Sequence, residues 1–129
     1  RVAVESIVAP ARVRPGDRVW VRLSFRLAGK TPPWWNNEGD PLRLWVDLPE
    51  SLVLEGGIFV HPAPEKPETR ELRVLEFEAQ VKRATADGSL RIPAHAIYGI
   101  CDDIGGACRF LRQDLQVEVR VDRGATRIQ

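Results

Sequence analysis

The sequence predicts an all-β fold, and three observations lead to that class. Apolar and polar residues alternate at a period of two in several segments, which is the pattern of strands with one buried face. Glycine and proline clusters separate these segments. No segment keeps a helical period over the length that a helix needs. Together these features are typical of an immunoglobulin-like β-sandwich of about seven to nine antiparallel strands.

The first third of the chain contains the clearest strand. Residues 2–8 are rich in β-branched side chains and predict an edge strand that Pro10 ends. After a turn at 13–17, residues 19–27 carry alternating apolar side chains. The residues of the apolar face are Val19, Val21, Leu23, Phe25 and Leu27. This strand should therefore be half-buried, with one face in the core and one in water.

Residues 28–40 are predicted to form a loop that contains two adjacent tryptophans, Trp34 and Trp35. Each tryptophan carries a large apolar surface that is costly to leave in water. We expect one of them to plug the end of the core. The alternative is that one packs near the cysteine hairpin or a partner surface.

Further strands are predicted in the middle of the chain. Residues 42–48 alternate, and residues 52–60 form a strand region that Gly56-Gly57 interrupts with a bulge or bend. Residues 61–67 hold three prolines and predict a stiff loop. Residues 72–81 predict another strand, with a change of parity near Leu75.

The last two predicted strands form a hairpin that holds both cysteines of the chain. An apolar segment, 90–100, leads into Cys101, and an alternating segment, 113–121, follows Cys108. A short loop with Gly105-Gly106 joins them, which favours a β-hairpin with both sulfurs near its tip. We therefore expect one domain over 1–122 and a C-terminal tail or linker over 123–129.

Composition excludes several classes of function. The 129 residues carry a net charge of +1, so no global field attracts nucleic acid or an anionic membrane. No Ser-His-Asp arrangement and no phosphate-binding glycine loop is present, and we predict no cofactor. A metal site of the two cysteines with His61 and His95 matches no usual zinc spacing. The chain begins without methionine, from which we expect that a signal peptide or membrane segment has been removed.

Two cysteines in one domain can form a stable disulfide, form a redox pair, or remain as unrelated thiols. Their closeness in sequence disfavours the third state. A disulfide between Cys101 and Cys108 would close a ring of about eight residues, worth roughly 2.5 kcal/mol in loop entropy. That gain is modest for a domain of this size, which favours a reversible role.

The two sulfurs should differ in reactivity. Cys101 precedes Asp102 and Asp103, whose negative charges disfavour a thiolate. Cys108 precedes Arg109, whose positive charge favours one. We therefore expect Cys108 to be the better attacking or leaving sulfur.

A set of short motifs, in this order, resembles a known family. They are Pro15-Gly16-Asp17, Trp34-Trp35-Asn36-Asn37-Glu38-Gly39-Asp40, Leu48-Pro49-Glu50, Val60-His61-Pro62-Ala63-Pro64-Glu65 and Tyr98-Gly99-Ile100-Cys101-Asp102-Asp103. The chain resembles the N-terminal periplasmic domain of the DsbD family of thiol:disulfide interchange proteins, including its copper-tolerance relatives. The resemblance covers roughly residues 13–121.

The resemblance implies an immunoglobulin-like domain in the periplasm that relays electrons. In that family a membrane domain and a thioredoxin-like domain supply the electrons. The acceptors are periplasmic proteins such as disulfide isomerases and cytochrome c maturation proteins. Carried over, Cys101 and Cys108 are the redox pair, and Cys108 forms the mixed disulfide.

The family also shields its disulfide with a cap loop, and by order in the chain this loop would be residues 59–66. The resemblance therefore implies that Phe59, His61 and Pro62 cover the sulfurs. It further places other side chains around the same corner: Trp34, Trp35, Tyr98, Asp102, Asp103, Arg109 and Phe110.

The sequence thus predicts an extracytoplasmic thiol–disulfide exchange domain, monomeric, with thioredoxin-fold proteins as donor and acceptor and no nucleic-acid partner. A tether to a membrane electron-transfer domain is part of this expectation. Two alternatives stay open. One is a non-catalytic immunoglobulin-like binding module with a structural disulfide, and the other is a copper-handling domain that uses the two thiols.

Overall fold

A computed structural model describes residues 1–102 and 106–126. These residues form an all-β fold of two antiparallel sheets, which confirms the predicted class. The strands are β1 (Val2–Ala9), β2 (Arg18–Leu27), β3 (Trp34–Asn36), β4 (Leu42–Val46), β5 (Leu52–Val53), β6 (Ile58–His61), β7 (Glu68–Thr69), β8 (Arg73–Val81), β9 (Gly88–Cys101) and β10 (Cys108–Val121). Within the described ranges, no helix is long and apolar enough to cross a membrane.

The smaller sheet has four strands in the order β1-β2-β8-β5. The larger sheet has six strands, with β6-β4-β9-β3-β7 in one path and β10 on the other side of β9. β4 pairs with residues 94–97 of β9, and β3 pairs with Ile100 and Cys101 at its end. β9 is therefore the strand on which the larger sheet is assembled.

The core lies between the two sheets and follows the predicted alternation. All five apolar residues of the β2 face are buried, as are alternate residues of β8 and β9. Trp35 is fully buried among them, which confirms that one of the adjacent tryptophans fills the core.

Three predicted elements differ from the structure. The predicted loop 28–40 contains the short strand β3, because Trp35 is buried in the core and its backbone pairs with β9. The predicted strand region 52–60 is two short strands, β5 and β6, with a bend where Gly56 has a φ of +76°. β8 keeps one parity throughout, because Arg73 takes the buried position while Leu72 stays exposed.

Residues 122 and 123, at the predicted start of the tail, are hydrogen-bonded to other parts of the chain. Val13 pairs with the end of β10, and Asp122 donates its backbone N–H to the Val13 carbonyl. Arg123 donates its backbone N–H to an Asp87 carboxylate oxygen at 3.0 Å, and its guanidinium contacts the Thr85 carbonyl. Hydrogen bonds therefore tie Arg123 to the body of the domain.

Candidate functional site: a disulfide at the end of a two-stranded ribbon

The predicted hairpin is present, and its two strands pair along their full length. Residues of β9 and β10 oppose one another in an unbroken register that ends with Cys101 opposite Cys108. The two sulfurs are bonded, and the two Cα atoms are 4.0 Å apart. Just beyond them, Asp102 donates its backbone N–H to the Ala107 carbonyl at 3.0 Å. The register of the ribbon therefore brings the two cysteines together.

The two cysteines differ strongly in exposure. Cys101 is 1% exposed, whereas Cys108 is exposed. The cause is the order of strands, since Cys101 has β10 on one side and β3 on the other. Cys108 has β9 on one side only, because β10 is the last strand of the sheet. A visiting thiolate therefore has access to Cys108 and not to Cys101.

The disulfide lies on the outer face of the larger sheet, away from the core. Successive residues of a strand point to opposite faces, and Ile100 points into the core, so Cys101 points outward. Directly opposed residues share a face, which makes Trp34, Cys101 and Cys108 one outward row across three strands. Trp34 thus stands beside Cys101 on the side opposite Cys108.

A second outward row lies next to the first. Phe110 is opposite Gly99, and a Cβ atom added to Gly99 would lie 3.1 Å from the Phe110 ring and 3.3 Å from Cβ of Asn36. A Cβ atom added to Gly39 would lie 2.8 Å from the same ring. The phenyl ring therefore occupies the space above Gly99, and the loop that follows β3 packs against it.

Gly99 is thus required by the close approach of Phe110, and a larger side chain should disturb the site. We expect Gly99→Val to displace the Phe110 ring and to lower the free energy of unfolding by about 1–3 kcal/mol. Chemical denaturation would measure this loss. Gly57→Ala is the control, since a Cβ atom there meets its nearest neighbour at 3.7 Å. Equal effects of the two substitutions would contradict this account of Gly99.

Trp35 and Tyr98 lie on the inner face, beneath the site, and not in the same corner as the sulfurs. Trp35 donates its indole N–H to the Glu71 carbonyl at 2.7 Å, and its ring meets Tyr98 edge-on at 5.8 Å. Tyr98 donates its hydroxyl to Gln113 at 2.8 Å, and burial raises the pKa of this tyrosine. These two side chains support the strands that carry the cysteines, because their apolar rings are buried between the sheets.

Arg70 holds Trp34 in place on the outer face. The guanidinium carbon lies 3.8 Å from the centre of the Trp34 ring, and the same group donates to the Pro32 and Pro33 carbonyls at 2.9 and 3.3 Å. A guanidinium over an indole face is an attractive arrangement. Arg70 therefore fixes the side chain that stands beside the buried sulfur.

Two of the predicted cap residues, Phe59 and His61, lie on β6, which is separated from the cysteine strand by β4. Phe59 is on β6 and stacks on Phe77 of the opposite sheet, with ring centres 5.5 Å apart. Its ring therefore faces the core, whereas the sulfurs face outward. His61 lies beside Pro62, with Nδ1 3.0 Å from that residue's carbonyl oxygen, and β4 separates β6 from β9. The Phe59 ring is partly buried and packs against the core, and β4 lies between β6 and the strand that carries Cys101. The end of the predicted cap segment returns to the loop after β3, where the Lys66 carbonyl accepts a hydrogen bond from the Asn37 side chain.

The charges next to the cysteines form an ion pair. Arg109 donates to an Asp102 carboxylate oxygen at 3.3 Å. The Arg109 side chain is 58% exposed and that of Asp102 is 50% exposed. Solvent screens this pair, and the two charges offset one another. They therefore cause a smaller difference in reactivity between the Cys101 and Cys108 sulfurs than the sequence predicts. Burial of Cys101 is the larger difference. Asp103 lies outside the described residues.

A buried arginine connects the loop beside Phe110 to the core. Arg73 is 2% exposed, donates to a Glu71 carboxylate oxygen at 2.7 Å and to the Asn37 side-chain oxygen, and lies over the Trp35 ring. Asn37 in turn donates to the Lys66 carbonyl and the Thr69 hydroxyl. The alternation of apolar residues along β8 does not reveal this role, because a charged side chain is rarely fully buried unless it is paired.

The Glu71 carboxylate should make stability depend on pH. Partial burial would raise its pKa, but hydrogen bonds from Thr69 and Arg73 outweigh that effect and lower the pKa below 4.5. A lowered pKa adds stability that is complete above pH 4.5 and is lost as the pH falls through the lowered value. We expect the difference in unfolding free energy between the unchanged protein and Glu71→Gln to shrink in that range. Denaturation at several pH values measures it, and a difference that grows on acidification would contradict this account.

Neither histidine lies with the cysteines. His95 stacks on Trp45, with ring centres 5.0 Å apart, and His61 stays on β6. Among residues 1–102 and 106–126, no group of three or more histidine, cysteine or acidic side chains is arranged to hold a metal ion.

Comparison with models of protein families and with curated proteins finds no match for this chain. The resemblance to the DsbD family stays a prediction that depends on the motifs.

Proposed function

We propose that this protein exchanges thiols and disulfides with other proteins through the Cys101–Cys108 bond. It relays electrons between a thioredoxin-like donor and acceptor proteins outside the cytoplasm. The observation that carries the proposal is the asymmetry of the bond, in which an exposed sulfur is joined to a buried one. An oxidising compartment such as the periplasm suits a domain whose resting state is the disulfide.

The exchange follows from this asymmetry. A donor thiolate attacks Sγ of Cys108, a mixed disulfide forms, and the Cys101–Cys108 bond breaks with its electron pair leaving on Cys101. A second donor thiolate then attacks the donor sulfur of the mixed disulfide and releases Cys108, so that the donor is oxidised and the domain is reduced. In the next half-reaction the Cys108 thiolate attacks an acceptor disulfide, and Cys101 resolves the complex.

The surroundings of the bond favour attack from one side. Thiol–disulfide exchange is nearly linear, so the attacking sulfur approaches along the line of the bond from beyond the sulfur that it attacks. On the far side of Cys101, this line meets Trp34, which is opposite Cys101 in the sheet and is covered by Arg70. Beyond Cys108 lies the free edge of the sheet. Cys108 is therefore the sulfur that forms the mixed disulfide.

The fold does not depend on this bond for most of its stability. The bond closes a ring of about eight residues, which is worth roughly 2.5 kcal/mol, whereas the core is filled by side chains from both sheets. Opening the bond leaves the ladder between β9 and β10 in place along its length. The domain can therefore pass between oxidised and reduced states without unfolding.

The reduction potential of the bond tests the proposal. We expect a value near those of thioredoxin-like proteins, between about −180 and −270 mV, measured by equilibration with glutathione or dithiothreitol buffers. A value well below about −300 mV would contradict it and would support the binding module with a structural disulfide. Copper titration of the reduced protein decides the other alternative, since tight stoichiometric binding would favour a copper-handling domain.

A further inference from the structure

One edge of β10 is unpaired beside the exposed sulfur. β9 occupies one side of this strand along its whole length. On the other side of β10, Val13 is the one residue in the described ranges that pairs with the strand. This pairing is at the end of β10 that is far from Cys108, next to Val121. From Cys108 to Glu118 no strand in the described ranges is hydrogen-bonded to this edge, although β1 of the smaller sheet lies close to β10.

The hydrogen-bond pattern shows which residues present their backbone to this edge. Asp102 and Ala107 form a hydrogen-bonded pair, so the next pair, Cys101 and Cys108, is of the non-hydrogen-bonded kind, as their short Cα separation of 4.0 Å also indicates. In such pairs the N–H and C=O groups point away from the neighbouring strand. The hydrogen bonds to Val13 agree with this assignment. They use the Arg120 carbonyl and the Asp122 N–H, and both residues are an even number of positions from Cys108.

The outward backbone groups thus belong to residues whose side chains share the face of the disulfide. They are Cys108, Phe110, Arg112, Asp114, Gln116 and Glu118. An added strand would find a complete set of donors and acceptors on this edge. It would also present its own alternate side chains on the same face as Cys108.

We propose that the partner's reactive cysteine lies on an extended segment that pairs with β10 as an added antiparallel strand, with that cysteine directly opposite Cys108. This inference depends on the proposed function, since it names how the exchange partner is held. The partner cysteine becomes the fourth member of the row formed by Trp34, Cys101 and Cys108. It therefore stands beyond Cys108 on the line from which attack occurs.

The distances of a β-ladder suit the reaction. In the added ladder Cys108 would belong to a hydrogen-bonded pair, in which Cα atoms are about 5.5 Å apart. Disulfides span Cα separations of roughly 4.4–6.8 Å, so the mixed disulfide forms without moving either strand. Pairing thus positions the two sulfurs before any covalent bond exists.

The edge also sets a preference for the sequence of the partner. In an antiparallel pair, the residue two before the partner cysteine lies opposite Phe110, and the residue four before it lies opposite Arg112. The residue six before it lies opposite Asp114. An apolar, an acidic and a basic side chain fit these three positions in turn, because cross-strand pairs of opposite charge and of apolar groups are stabilising.

Two N-methylated peptides test the proposal. The parent peptide is Lys-Thr-Glu-Thr-Val-Thr-Cys with a C-terminal amide, and the rate of mixed-disulfide formation with the oxidised protein is measured. N-methylation of the valine removes an N–H that would bond to the Phe110 carbonyl, and we expect it to slow the reaction about tenfold. N-methylation of the central threonine affects an N–H that would point away from β10, and we expect a change of less than about twofold.

A pair of protein variants gives a second readout. Arg112→Pro removes an outward N–H that β9 does not use, and proline is tolerated on edge strands. Gln116→Pro does the same beyond the end of the peptide. We expect the first variant to lose the difference between the two methylated peptides and the second to keep it, once circular dichroism shows that both are folded.

Glutathione separates failure of this inference from failure of the proposed function. If glutathione reacts with Cys108 but the two methylated peptides react at the same rate, the pairing at β10 is wrong while exchange stands. If neither glutathione nor any peptide reacts, the proposed function is wrong as well. A slower rate for the valine-methylated peptide, lost in Arg112→Pro alone, supports the pairing.

Discussion

Replacing Cys101 with serine should leave Cys108 as an exposed thiol that reacts rapidly, whereas Cys108→Ser should leave a buried thiol that reacts slowly. The reason is the 1% exposure of Cys101, which lies between β3 and β10 and is reached only when the sheet opens locally. An opening free energy of about 3 kcal/mol corresponds to a difference of roughly 100-fold in alkylation rate. The Cys101→Ser variant should also retain partners as mixed disulfides, because no second thiol resolves them.

Alkylation with iodoacetamide, followed by mass spectrometry over a range of pH, measures both rates. The unfolded variants in denaturant serve as the control, since both thiols are then equally accessible. Equal rates in the folded state, or a faster Cys101, would overturn the assignment of Cys108 as the exchanging sulfur.

Trp35→Ala should lower the free energy of unfolding by about 3–5 kcal/mol, which is the second large effect that we expect. The side chain is fully buried, donates to the Glu71 carbonyl at 2.7 Å, meets Tyr98 edge-on and lies under Arg73. Its removal opens a cavity and leaves that carbonyl without its donor.

Trp34→Ala is a matched control, since the two residues are adjacent in sequence and differ in the face that they occupy. Trp34 is half-buried on the outer face, and we expect its loss to lower stability by about 1 kcal/mol or less. Its larger effect should be a higher fraction of attack at Cys101. Urea denaturation of both variants measures the contrast, and comparable losses of stability would contradict the placement of the two rings.

The fold and the cysteine pair could be predicted because they depend on local patterns. The period-two alternation of β2 and the apolar segments that flank Cys101 and Cys108 each have one structural interpretation. A register that opposes two residues at the end of a hairpin also follows from a short loop between two strands.

The cap and the lining residues could not be predicted in the same way. Which face a side chain occupies depends on register between strands that are distant in sequence, such as β3 and β9. Phe59 was expected over the sulfurs and instead packs against the core, and the parity change predicted near Leu75 is absent from β8. The apolar pattern near β8 was misleading because a buried arginine paired with Glu71 breaks it.

Gly99 is a glycine inside an otherwise apolar strand. A glycine inside an apolar strand is unfavourable unless another group approaches its backbone. Phe110 is that group, and it lies beside the disulfide on the same face. A glycine in this position of a strand is therefore a sequence feature that can indicate the site.

The most direct test of the account is to identify which sulfur of the oxidised protein is attacked. The protein is mixed with glutathione, quenched in acid within the first turnover, digested and examined by mass spectrometry. The account predicts the glutathione adduct on Cys108, with Cys101 as a free thiol. An adduct mainly on Cys101, or no adduct in the folded protein, would contradict it.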